Sequence, residues 1–227
     1  MILKILLVLK GHHYRFTRSR SFTYLNTIRS VSNHLIRPLA LYFDDFRLCL
    51  HTYESPLISD LCLNYTPSFF YCDSSSNFTL LSNFHLLLSR LKSIDLTDTF
   101  IIISRFDICF RHPIDPSIFQ DDMFNFLFPC AGMTHRIWFD DNLIGFPSNY
   151  IDLLLHLCST KIISCNSFDY HHKNLHWLLP ELCLSTPLSD ALNCIDPRPM
   201  RSDSNIYYYL FRGTNFMHNI KSFISRF

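Results

Sequence analysis

Glycine is scarce in this chain, with four residues among 227. Loops that cradle phosphate on backbone N–H groups need several glycines within a few positions. No GxGxxG run, Walker loop or GxSxG elbow occurs. P-loop NTPases, dinucleotide-binding enzymes and elbow-type hydrolases therefore lose support. Charge is sparse too: Asp, Glu, Lys and Arg make up 17%, and the formal net charge is +1. That leaves no electrostatic footprint for a nucleic-acid partner. No stretch approaches the roughly 20 apolar residues of a membrane span. The apolar N-terminus is interrupted by Lys4 and lacks a small-residue cleavage site, so it reads as a strand and not as a signal peptide. The nine cysteines are odd in number and form no CxxC pair, which fits reduced thiols buried as small hydrophobes. A soluble, cytoplasmic (intracellular) protein is the expectation.

What the chain has in plenty is apolar bulk: 48% hydrophobic residues, among them 22 Phe. A disordered chain is excluded, and the length suits one domain over residues 1–227. Residues 2–9 read as a buried strand closed by Lys10-Gly11. Tyr24, Leu25, Ile28, Val31 and Leu35 recur at helical spacing over 21–36, and Pro38 is expected to end that helix. Residues 46–52 alternate as a second strand. Residues 53–76, rich in Ser, Pro and Tyr, read as a long connection with a brief strand near Phe69–Cys72. A helix is predicted over 77–94, a strand over 99–104 and short strands within 122–130 and 137–147. Ser148 is expected to cap the next helix, followed by helical turns over 170–184 and a last ordered element over 204–213.

Strands alternating with helices at this spacing predict an α/β fold, a mainly parallel twisted sheet covered by helices on both faces. The strands ending near Lys10, Thr52 and Ser104 should be neighbours with their carboxyl ends on one edge. Ligands of open sheets bind beyond that edge.

Three clusters of polar residues fall at predicted strand ends. In "KGHHYR", Gly11 permits a tight turn or close approach to a ligand, and His12, His13 and Arg15 are donors suited to phosphate. The competing reading is an ordinary solvated loop. In "SRFD", Arg105 and Asp107 share a face by strand alternation. Arg105 can grip a diphosphate bidentately, and Asp107 can take a ribose hydroxyl or one position on a divalent ion. An internal Arg–Asp pair that fixes the strand end explains the same residues. In "FDDN", Asp140 and Asp141 suit a general base with an orienting neighbour, or a metal pair. Asp and Asn also favour plain turns, and the pairs Asp44-Asp45 and Asp121-Asp122 are read that way. His172 and His176 have the i, i+4 spacing of a zinc pair, but neither a third ligand nor a glutamate base accompanies them.

Taken in order, "KILLVLKGHHYR", "LCLHTYES", "IIISRFDICF", "FDDNLIGFPSNYID" and "SDSNIYYYLFRG" resemble the motifs of a group of small glycosyltransferases of bacterial surface-polysaccharide clusters and large DNA viruses. Such proteins have a GxxR-like loop after the first strand, a strand ending in HTW (here His51-Thr52-Tyr53) and a central RxD strand end. The resemblance implies a GT-A-like, Rossmann-like single domain with a nucleotide-sugar at the carboxyl edge. Residues 1–110 would form the nucleotide-sugar-binding part, 111–213 the acceptor side and 214–227 a tail. Gly11, His12, Arg15, Arg105 and Asp107 would face the donor, and Asp141, with Asp140 as alternative, would face a glycan or protein-linked glycan acceptor. The central motif stands where GT-A enzymes carry a metal-binding DxD, but Arg105 replaces the first acid. A divalent cation (Mn or Mg) would then have Asp107 as its ligand. Two other readings stay open: a non-catalytic nucleotide- or carbohydrate-binding protein on the same scaffold, and a divalent-metal hydrolase using Asp107, Asp140 and Asp141.

Overall fold

The computed structural model describes residues 4–16, 21–74, 80–122, 124–126, 143–164, 192–194 and 208–210. Of Arg15, Phe16, Ser21, Phe22, Leu80, Phe126 and residues 161–164, 192–194 and 208–210 it describes the backbone alone. The run Ile5 to Leu9 has no polar alternate, so a strand built from it has no face for water. It forms the centre of β1 (Lys4–Lys10), with all five residues fully buried. The other long strands are β4 (Asp45–Tyr53), β5 (Phe69–Asp73) and β6 (Thr99–Arg105), all parallel to β1. Around them come the hairpin β2 (Tyr14–Phe16) and β3 (Ser21–Thr23), then β7 (Ile108–Phe110), β8 (Phe124–Phe126), β9 (Leu143–Pro147), β10 (Leu192–Cys194) and β11 (Tyr208–Leu210). The main sheet has seven strands in the order β10-β8-β9-β6-β1-β4-β5, with β9 antiparallel to both neighbours. A second pair, β7 and β11, is antiparallel. The fold is α/β with a mostly parallel sheet, and β1, β4 and β6 end side by side: Lys10 stands opposite His51 and opposite Arg105.

Helices cover both faces, as the alternating apolar positions require. On one face, Ile5, Leu7, Leu9, Leu48 and Leu50 meet α1 (Ile28–Val31), α2 (Arg37–Tyr42), the helical turn between them and α3 (Ile58–Tyr65) through Val31, Leu35, Leu39, Leu61 and Tyr65. On the other, Leu6, Val8, Ile101 and Ile103 meet α4 (Leu80–Lys92) and α5 (Ile151–Ser164). The α4 contribution is Leu81, Phe84, Leu87, Leu88 and Leu91, one stripe at helical spacing. Each such side chain contributes about 1.5–3 kcal/mol by leaving water. Cys49, Cys62, Cys72, Cys109 and Cys158 carry free thiols, and burial pushes those of Cys49 and Cys158 up to about 12. Among the described residues, no helix is long and apolar enough to cross a membrane.

Four expectations are corrected. The helix foreseen over 21–36 starts later, after β3 and a 3₁₀ turn (Tyr24–Asn26), and it runs through Pro38 to Tyr42. A π-helical turn (Ser32–Ile36) lies between α1 and α2 and widens the spiral ahead of the proline. The N–H that Pro38 lacks would have bonded to the carbonyl of His34. That carbonyl accepts instead from the Ile114 N–H at 2.8 Å. The connection over 53–76 contains α3, whose one turn of apolar anchors, Leu61 and Tyr65, is supported by distant polar contacts. Tyr24 donates to Asp60 at 2.5 Å, and Asn64 donates to the Tyr24 hydroxyl at 2.9 Å. Ser148 is the first residue of a 3₁₀ turn (Ser148–Tyr150) and makes no capping bond. Asp45 opens β4, while Asp121 and Asp122 do form a turn.

Gly145 shows where packing is tightest. A β-carbon there would lie 2.8 Å from Phe100 Cε1 and 3.2 Å from Phe119 Cδ1, two rings in edge contact. Gly145→Ala should therefore destabilise the protein by about 1–3 kcal/mol through overpacking. Urea unfolding checks it; a change under 0.5 kcal/mol would mean that Phe100 has room to move.

Candidate functional site

The carboxyl edge of β1, β4 and β6 gathers the polar residues that the sequence scatters. Beyond β1 the chain turns at Gly11, whose φ of +101° suits a residue without a side chain. A β-carbon at Gly11 would meet nothing within 4 Å, so the need is conformational and the space beside it is open. The Gly11 N–H donates to the His51 carbonyl at 3.0 Å, and the Thr52 hydroxyl donates to the Gly11 carbonyl at 2.9 Å. Since that hydroxyl spends its proton on Gly11, it accepts from His13 Nδ1, 2.5 Å away. His13 Nε2 then accepts from the Ser55 hydroxyl at 2.5 Å, and Ser55 Oγ accepts from the Leu57 N–H at 3.1 Å. The loops after β1 and β4 are joined by a chain in which each proton has one place. His12, on the same loop, sets its ring 4.6 Å from that of Tyr53.

His13 is 1% exposed, and burial, with the His12 charge second, lowers its pKa from 6.5 to about 4. A histidine that binds its proton more weakly when folded gives stability that is complete above its unfolded pKa and is lost as pH falls. Between about pH 6.5 and 4 the wild type should lose up to about 3 kcal/mol from this group. Chemical denaturation at stepped pH, wild type against His13→Asn, reads the difference. Parallel curves for the two proteins would refute it.

The opposite face of the same edge carries charge. Successive side chains alternate, so His51, Tyr53, Lys10 and Arg105 face α4 and α5 while Thr52 faces the other side. His51 Nε2 lies 2.9 Å from Asp73 Oδ2, a short contact but not one aligned as a hydrogen bond. Asp73 Oδ1 lies 3.9 Å from Arg90 on α4, and the Lys10 ammonium sits over the Phe84 ring at 5.5 Å. Burial holds His51 below its ordinary value against the pull of Asp73, and Lys10 and Arg90 add to the lowering. The Asn83 amide donates to the Tyr53 hydroxyl, tying β4 to α4.

Arg105 is the last residue of β6, and Asp107 follows in the turn before β7. Arg105 donates from Nε to Asp107 Oδ1 at 2.7 Å and from Nη2 to Oδ2 at 2.6 Å, a bidentate pair with both partners partly exposed. Both carboxylate oxygens are thus held by a guanidinium. A dication on Asp107 would have to displace that guanidinium or share oxygens with a cation in contact. Among the described residues, no group of three or more His, Cys, Asp or Glu stands ready to hold a metal ion. The residues described here do not fit a divalent cation at Asp107.

Of the residues singled out by sequence, Gly11, His12, Arg105 and Asp107 lie at this edge. Arg15 is placed in β2 opposite Phe22, with its side chain outside the described part. Asp140, Asp141, His172 and His176 lie outside the described residues. Sequence reasoning overlooked Ser55 and Asp73, quoted His51 and Thr52 only as part of a motif without a role, and left His13 with a generic one. The signal for His51 and Thr52 was the alternation in "HTYES", which sends them to opposite faces. A cavity of about 710 Å³ opens at the other edge of the sheet, beside Lys4, Asp98, Thr99, Asp122 and Pro147. Gly11, His13, Thr52, Arg105 and Asp107 do not line it, and the chemistry favours the carboxyl edge.

Comparison with known proteins bears on the fold. The sequence matches no protein-family model and no curated protein. The structure superposes on that of a glycosyltransferase involved in the glycosylation of the major capsid of PBCV-1, with a TM-score of 0.52 at 6% identity. The match covers 98% of this chain and 99% of that one. The fold is shared with glycosyltransferases. It also matches the glycosyltransferase GlyE of Streptococcus pneumoniae TIGR4 with a TM-score of 0.50 at 9% identity, over 85% of this chain and 45% of that one. The architecture is thus GT-A-like, with viral and bacterial structural neighbours.

Proposed function

We propose that the protein is a glycosyltransferase that moves a sugar from a nucleotide-sugar donor to a hydroxyl of a glycan or protein-linked glycan. The observation that carries this reading is the meeting of Gly11, His12, Arg105 and Asp107 on one carboxyl edge of a glycosyltransferase-like sheet. Arg105, oriented by Asp107, faces the donor diphosphate, and the Gly11–Arg15 loop lies across the cleft from it. β8 ends at Phe126 and β9 begins at Leu143 opposite Ser104, so the last described residue before Asp140 and Asp141 and the first one after them both stand at this edge. That connectivity supports Asp141 as the acceptor-side base, with Asp140 as its alternative. In transfer, the bond from the anomeric carbon to the diphosphate oxygen breaks and a bond to the acceptor oxygen forms. The diphosphate leaves with the electron pair, beside Arg105. In an inverting reaction the acceptor proton goes to the base.

Incubation with a panel of nucleotide-sugars, following transfer and donor hydrolysis with Mn²⁺ and with EDTA, tests the reading. Transfer or hydrolysis of one donor supports it, and tight binding without turnover would favour the non-catalytic alternative. That alternative draws on the Arg105–Asp107 pair, which suffices to fix a strand end without chemistry. Arg105→Ala discriminates further: it should weaken nucleoside-diphosphate binding about ten- to a hundredfold, the worth of a charge-assisted bond. Arg18→Ala and Arg20→Ala, at positions that the sequence assigns to a solvated face, should have little effect. Equal, small effects of all three in calorimetry would reduce Arg105 to a structural partner.

A further inference from the structure

The chain Leu57–Ser55–His13–Thr52–Gly11 at first resembles a nucleophile, a base and an orienting group. Three observations oppose catalysis by it. Ser55 Oγ is committed to the Leu57 N–H, as in a turn. Thr52 is neutral and cannot stabilise an imidazolium. The lowered pKa of His13 makes it a poor base at neutral pH. The arrangement fits a different task.

We infer that His13 is the positioning residue of the donor loop, its neutral ring locking the Gly11 turn to the end of β4. This rests on the reading of the Gly11–Arg15 loop as the donor side. The lock works through one tautomer: Nδ1–H fills the Thr52 acceptor, which commits the Thr52 proton to the Gly11 carbonyl. Nε2 takes the Ser55 proton, and the ring edge rests on Phe106, the residue between Arg105 and Asp107. One buried side chain on the loop after β1 therefore touches both the end of β4 and the residue that follows β6. The Phe106 N–H also reaches the Lys10 carbonyl at 3.4 Å, and the Thr27 hydroxyl donates to the Phe106 carbonyl at 2.5 Å. Without His13, Gly11 keeps its bond to the His51 carbonyl, but its own carbonyl loses a fixed partner, and the loop has more conformations to lose when a nucleotide binds.

The test uses the full chain and a set of nucleoside diphosphates (UDP, GDP, ADP, CDP and dTDP) in calorimetry, with transfer kinetics on whichever donor is turned over. His13→Leu should weaken binding of the preferred diphosphate about three- to tenfold, the worth of a net hydrogen bond or two. It should raise KM for the donor with kcat nearly unchanged. His13→Asn places an amide N–H where Nδ1 stands and should recover most of the affinity. Should His13→Leu fold poorly, Thr52→Val removes the same link with little change of volume, and its loss should not add to that of His13→Leu. A folded His13→Leu protein with wild-type affinity, or Asn and Leu variants equally impaired, overturns the inference while leaving the glycosyltransferase reading intact. Diphosphate binding that follows the expected order in a protein without transfer supports the lock and sinks the transferase reading. A wild type that binds no nucleoside diphosphate overturns both.

Discussion

Asp141→Asn should cut sugar transfer about 10²–10⁴-fold and leave donor affinity within a factor of two. The substitution keeps the shape of the side chain and much of its hydrogen bonding while removing its ability to accept a proton. Positioned general-base catalysis is worth that much. The proton is needed only when the acceptor hydroxyl attacks, after the donor has docked, so kcat should fall while the donor dissociation constant stays. Single-turnover kinetics with saturating donor, paired with calorimetry of the nucleoside diphosphate, separates the two. If Asp141→Asn transfers normally and Asp140→Asn does not, the adjacent residues exchange roles. If neither matters, the general-base mechanism is wrong.

Asp73→Ala should cost about 1–3 kcal/mol of stability, the usual result of leaving a buried polar group without its partner. Asp73 and His51 are 8% and 3% exposed, and the carboxylate lies 2.9 Å from the imidazole and 3.9 Å from Arg90. Its loss leaves His51 in a buried site near Lys10 and Arg90 without the acid that offsets their charge. The comparison is Asp152→Ala. Asp152 lies 2.6 Å from Lys92 on the surface, with both side chains more than half exposed. Exposed pairs contribute about 1 kcal/mol or less. Thermal melts should therefore separate the two variants by about 2–8 °C. Similar melting temperatures would mean that the edge rearranges to hydrate the cations.

The centre of this fold was legible in the sequence because its strands are apolar on both faces. Nothing competes with a buried parallel strand at Ile5–Leu9 or Phe100–Ile103. The helix α4 announced itself by its stripe. By contrast, α3 rests on contacts to Tyr24, 36 and 40 residues away, which local pattern cannot register. The site behaved similarly. Gly11, Arg105 and Asp107 were visible because polar residues ending an apolar strand need a reason. The partnership of His13 with Thr52 and Ser55 was hidden, because it spans 39 and 42 residues and involves side chains with ordinary loop preferences. For Arg105 and Asp107 the sequence allowed both a ligand-facing role and an internal pair. The pair is formed, with both Asp107 oxygens accepting from Arg105, and that contact is one that no local pattern could decide in advance.

Pro38 has a consequence for how the molecule chooses among its own partners. A helix normally offers each interior carbonyl to the residue four positions on, and any outside donor must compete with it. By withholding one N–H, Pro38 keeps the His34 carbonyl on offer, and Ile114 from beyond β7 takes it. The same helix supplies Ser30 and His34 side chains to the Phe110 carbonyl, at 2.7 and 2.8 Å. The proline thus works as a socket. It gives the chain that leaves the Arg105–Asp107 turn a fixed mooring on a helix built 76 to 80 residues earlier, by means of a carbonyl that Pro38 cannot claim.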